Sequence, residues 1–150
     1  MDITAPLYWW KEADTYKVST VCNSCSTMHK IHERPLTLED FSHDHLNMES
    51  VLYLTNTINR INDCREKFLE TNDKDYWWQM IQLLPSSYNQ RRTMQFNYET
   101  LANIYRPDAR RHHKLDEWNV AFEGSFCQWI EKLPYSELIT SCSRRKESND

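Results

Sequence analysis

The chain has 150 residues, a formal net charge of −4, 39% hydrophobic and 27% charged residues, which suits one globular domain over residues 1–140 with a polar, frayed tail at 141–150. Its single glycine, Gly124, excludes the glycine-rich phosphate loops, so any phosphate must be held by side chains and helix N-termini. There is no secretory segment and no run of about 18 apolar residues, and five cysteines is an odd number for a disulfide frame; the expectation is a cytoplasmic, non-membrane protein with reduced thiols.

In chain order, residues 3–10 (ITAPLYWW) are apolar with Pro6 among them, which predicts an extended opening segment. Tyr16–Val21 alternates and is β-branched, predicting a short strand. The polar block from Cys22 to Pro35 predicts a loop. Thr37–Leu46 predicts a short helix, with Thr37 and Asp40 spaced as a capping box. From Glu49 to Thr71, Val51, Leu54, Ile58, Ile61 and Phe68 recur at helical spacing, predicting an amphipathic helix of roughly six turns. Asn72–Asp73 stops it, Asp73 or Asp75 caps a helix over Tyr76–Leu84, and Pro85 ends that one. Ser86–Thr93 reads as an Arg-bearing turn. Further helices are predicted over Thr93–Tyr105, closed by Pro107, and over His113–Lys132, before Pro134. The expected class is α+β, predominantly helical with a small N-terminal β element.

Three constellations carry chemistry. Cys22, Cys25, His29 and His32 have the ligand types of a zinc site, but four ligands within eleven residues is tighter than the usual finger spacing, so a polar loop with small buried thiols is the leading reading and zinc the runner-up. Gln90, Arg91 and Arg92 lie in a stretch dense in hydroxyls and amides, suited to an anion or to pairing with nearby glutamates. Arg106 to Lys114 gathers bases that need acidic neighbours, solvent or an anionic ligand. Cationic forks among aromatic residues suit a planar, anionic ligand such as a nucleotide or flavin. The net negative charge disfavours nucleic acid as partner.

The order of these features resembles the flavin-dependent thymidylate synthases, in a short, divergent, phage-type form. That family carries the signature RHRxxSxNxxSxRY after an aromatic-rich strand. Here YWWKEADTYKVSTVCNSCSTMH stands in the corresponding place. Thr15, Tyr16 and Lys17 stand at the RHR triplet, Thr20 at the first Ser, and, after one inserted residue, Asn23 and Ser26 at the later Asn and Ser. In the C-terminal half the family has a helix-ending LP, a TxNxRxLxxFxxLR helix and an AQxEIR helix. This chain has Leu84-Pro85, Asn97 at the Asn, Leu101 near the Leu, Glu99 where an Arg is usual, and Arg110 at an Arg after two inserted residues. Leu115 and Asp116 replace the Ala-Gln pair. The resemblance spans residues 8–32 and 76–132.

It implies the family's fold, a homotetramer with sites formed between chains, and FAD-dependent methylation of dUMP. The implied cofactor contacts are Lys17, Asn23, Asn97 and Arg110. The implied substrate contacts are Ser26, Gln90, Arg91 and Arg92. The altered signature residues leave a second reading open, a non-catalytic nucleotide- or protein-binding module that kept the fold and lost the flavin.

Overall fold

Asn47 starts the longest element of the chain. In the computed structural model, which describes residues 1–16, 21–24 and 30–144, its side chain accepts the Ser50 amide at 2.8 Å and caps helix α2, Met48–Thr71. The chain is mixed α/β and mostly helical. In order it runs β1 (Asp2–Pro6), α1 (Leu7–Ala13), β2 (Val21–Ser24), a 3-10 turn (Leu38–Asp40), α2, α3 (Lys74–Leu83), β3 (Asn89–Gln95), α4 (Tyr98–Tyr105), a π-helical turn (Pro107–Arg111), α5 (Phe126–Glu131) and α6 (Ser136–Arg144). The strands form a small sheet in the order β1-β3-β2, with β1 antiparallel to β3 and Ile3 opposite Arg92. The residues cluster into two compact units. One holds Asp2–Trp10 and Asn23–Thr93; the other holds Met1, Lys11–Cys22 and Met94–Asp150.

In the first unit, α2 turns Leu54, Ile58, Ile61 and Cys64 inward, as its spacing predicts. They pack with Ile31, Leu36, Phe41 and Met80 in one core cluster. Asn72 ends α2 in the left-handed region (φ 54°) and sends its N–H to Phe68 O at 2.8 Å. Asp73 then caps α3 through the Asp75 amide. Asn62 binds both backbone groups of Leu36, at 2.8 and 2.9 Å, and so ties the preceding loop to α2. We expect Asn47→Ala to cost about 1 kcal/mol, read as a lower urea midpoint with unchanged slope; no change would mean that the α2 terminus frays regardless of its cap.

Three expectations in this unit are corrected. The opening segment is extended only to Pro6, after which Leu7 begins a helix. Two of that helix's first-turn donors, Leu7 N–H and Tyr8 N–H, reach Tyr88 O and Ser86 O at 3.0 and 3.1 Å. Thr37 and Asp40 do form the capping box. The turn stops at Asp40, however, because Phe41 is drawn into a bridge with Tyr88 and Ser42 N–H bonds Ser87 O at 2.9 Å. Ser86–Thr93 is not a turn between helices. Its second half enters β3, where Gln90 and Arg92 are less exposed than Arg91 and Thr93.

In the second unit, α4 starts at Tyr98 rather than Thr93, because Thr93–Gln95 is strand and Asn97 caps the helix by accepting the Thr100 amide at 2.7 Å. Its inner face holds Thr100, Leu101, Ile104 and Tyr105, in a unit whose other buried residues include Trp118, Phe126, Cys127, Ile130 and Ile139. The helix expected over His113–Lys132 is reduced to α5. Asn119 diverts the backbone by donating to His113 O and accepting from Ala121 N–H, and Gly124 takes φ +78°. α5 begins only where Ser125 caps it. The tail expected from residue 141 instead continues α6 to Arg144. The strand expected at Tyr16–Val21 overlaps β2 only at Val21; residues 17–20 lie outside the described residues.

Candidate functional site

The arginines of residues 91–111 fall in two places, one in each unit. In the first unit, strand alternation turns Arg92 to the more covered face of β3, where its guanidinium lies 4.5 Å from the Trp10 ring centroid. Its Nε donates to Gln90 Oε1 at 2.8 Å. Trp10 is itself fixed, because its indole N–H donates to Ala5 O and Gln90 O, each at 3.0 Å, and its ring meets Trp9 edge-on at 4.8 Å. Arg91 points to the other face and pairs with Asp2, whose carboxyl is held below its ordinary range by the Thr93 hydroxyl and then by Arg91. Gln90 and Arg92 are thus brought together, while Arg91 is directed away from them.

In the second unit, Arg110 and Arg111 leave the π-helical turn in different directions. Arg110 is largely covered, with 16% of its side chain exposed, and its Nη2 meets Glu12 Oε2 at 2.5 Å. Its guanidinium carbon lies 5.5 Å from the Tyr16 ring and 5.9 Å from the Trp118 ring. Its Nε is buried and has no hydrogen-bond partner among the described residues. His113 is pushed down from its ordinary value by burial and by Arg110, and its Nδ1 accepts the Leu115 amide at 3.1 Å. Asn97, expected at a ligand, spends its side-chain oxygen on capping α4.

Arg111 lies 5.2 Å from the Tyr105 ring and helps line a cleft of about 220 Å³, together with Tyr105, Glu131, Ser136 and Thr140. The Tyr105 hydroxyl donates to Glu131 Oε1. Burial and that carboxylate push the phenol up to about 12, and burial pushes the neighbouring Cys127 thiol up to about 12. Both are protonated at neutral pH, so neither acts as an anionic nucleophile or base there. Of its five residues only Arg111, within the base cluster, stood out in the sequence, since the lining comes from three helices and a turn; the i, i+4 spacing of Ser136 and Thr140 marks a shared face.

Of the remaining expected contacts, Lys17, Ser26, Cys22, Cys25 and His29 lie outside the described side chains, as does Asn23. His32 is described: its ring meets Phe68 edge-on at 5.4 Å, and its carbonyl accepts Arg65 Nε at 2.9 Å. Among the described residues, no group of three or more His, Cys, Asp or Glu is placed to hold a metal, and no helix is long and apolar enough to cross a membrane. Comparison with known protein families, curated proteins and solved structures returned no match.

Proposed function

We propose that the chain is a nucleotide-binding protein of the flavin-dependent thymidylate synthase type, taking a uridine nucleotide, a flavin nucleotide or both, and acting as a homo-oligomer. The supporting observation is that Arg92, Arg110 and Arg111 each hold a guanidinium within 6 Å of an aromatic ring. Such a fork can pair with a phosphate while the ring beneath it holds the guanidinium in place. FAD, when bound, would supply the hydride chemistry of dUMP methylation; the chain's part would be to bind and orient. For that part the described residues offer Arg110, whose buried Nε fits an anionic group.

One observation favours the non-catalytic reading. Glu12 already neutralises Arg110 and Asp2 pairs Arg91, while the Asn97 oxygen serves as a helix cap. Each such partner must be displaced or shared before a ligand is held, which costs the hydrogen bond it makes now.

A visible absorbance spectrum of the purified protein, before and after incubation with FAD and desalting, separates the readings. Retained flavin bands support the enzyme-type reading and make dUMP methylation the next assay. A colourless protein whose melting temperature rises with dUMP supports the binding module. At a hundredfold excess of ligand over Kd the gain is about 2.7 kcal/mol, several degrees in a chain of this size. A folded protein indifferent to both ligands overturns the proposal.

A further inference from the structure

Between the π-helical turn and α5, residues 112–125 run as turns and bends. Two contacts made by His113 hold the first half of that stretch. Its ring Nδ1 accepts the Leu115 N–H at 3.1 Å, and its carbonyl accepts the Asn119 side-chain amide at 2.9 Å. Trp118, which is buried, and Asn119 then send their N–H groups to Leu115 O at 3.0 and 3.2 Å, so the loop closes on the residue that the ring holds. The second half is fastened differently, by Val120 N–H to Arg111 O and Phe126 N–H to Glu117 O, bonds in which no side chain takes part.

The ring contact fixes a protonation state. A backbone N–H can only donate, so Nδ1 must present its lone pair, and the proton of the neutral ring sits on Nε2. An imidazolium carries N–H on both nitrogens, and the Leu115 amide would then face a second donor. The hydrogen bond exists only while His113 is neutral.

The surroundings make the positive ring costly. Arg110 on the π-helical turn and Lys114 on the loop repel it, while Glu12 on α1 and Glu117 on the loop attract it. Glu12 is already joined to Arg110 at 2.5 Å. Burial first, and Arg110 second, therefore hold the imidazole below its ordinary 6.5. The neutral ring's contribution to stability is complete above that unfolded value and drains as pH falls below it, since the unfolded chain then binds the proton more readily.

We propose that His113 is an acid-sensitive latch: the neutral ring ties Leu115 and so closes the 113–119 loop, and protonation lets that loop go while the Val120 and Phe126 ties remain. The released stretch begins three residues after Arg110, so acid loosens the loop beside the guanidinium that Glu12 holds. The latch stands apart from the nucleotide reading and needs no ligand.

The test is amide hydrogen exchange by NMR on the full chain at about pH 7.5 and about pH 5, on either side of the histidine range, with rates corrected for the intrinsic effect of pH. The Leu115 protection factor is expected to fall on the order of tenfold at the lower pH, while Ile61 in α2 keeps its own. His113→Asn is expected to stay protected at both values. An Asn Oδ1 accepts the N–H two residues on without titrating, as Asn119 does for Ala121 at 3.0 Å. His113→Ala is expected to be unprotected at both. The ring gives a check that needs no variant: its nitrogen shifts at neutral pH are expected to report the Nε2–H tautomer. Leu115 protection equal at the two pH values, the same fall in a folded His113→Asn chain, or an Nδ1–H tautomer at neutrality would each overturn the proposal.

Discussion

Replacing Trp10 by Ala is expected to remove about 3–5 kcal/mol of stability, a large share of the 5–15 kcal/mol typical of a domain. Trp10 is 1% exposed, and three separate interactions meet on it. Its ring packs edge-on against Trp9, its N–H serves Ala5 O and Gln90 O, and its face carries the Arg92 guanidinium. Truncation leaves a cavity and takes the indole donor from two carbonyls at once. Trp10→Phe separates these effects: it keeps a ring and loses the donor, and about 1–3 kcal/mol is expected. Urea unfolding monitored by circular dichroism measures both. If Trp10→Ala lost less than the Phe variant, the packing described around α1 and β3 would be wrong.

Stability is expected to hold from neutrality to about pH 9 and to fall steeply between pH 9 and about 12, as Cys127 and Tyr105 are asked to ionise. The sign follows from linkage. Folding raises Cys127 from 9.0 to about 12, by burial first and by Glu131 second, and raises Tyr105 from 10.0 to about 12, by burial first and by its hydrogen bond to Glu131 second. Groups raised by folding leave stability intact below their unfolded values; it drains away as pH climbs through the window to the folded values. The loss is on the order of a few kcal/mol. Urea midpoints at a series of alkaline pH values measure it, and Cys127→Ala should delay the fall so that it begins near pH 10 rather than 9. A midpoint that stayed constant to pH 11 would mean that the thiol and phenol are not enclosed as described.

Which parts of the chain could be read in advance depended on how local their causes are. α2 needs only the three-to-four spacing of Leu54, Ile58 and Ile61, and its end needs only Asn72 and Asp73. β3 hides because its period-two signal runs through Gln90 and Arg92, polar residues whose covered face is a Trp from another element. α4 begins five residues later than expected for the same reason: with Thr93–Gln95 in the strand, Asn97 is the residue that caps. The bases of residues 91–111 were visible as a cluster, but their partners were not. Asp2 and Glu12 lie 89 and 98 residues away from Arg91 and Arg110.

By itself, then, the amino-acid sequence determined the helical dominance, α2 with its stop at Asn72–Asp73, the cap of α3, the Thr37–Asp40 capping box and the absence of a glycine phosphate loop, because each follows from residues close together in the chain. Only the tertiary structure decided that Arg110 is neutralised by Glu12, that Arg111 turns the other way, and that Tyr105, Glu131, Ser136 and Thr140 share its cleft. The physical reason is reach. A cap or an amphipathic stripe is settled over about 5–6 Å of one helix, whereas a polar cleft is assembled from separate segments whose meeting is enforced by the apolar residues packed between them.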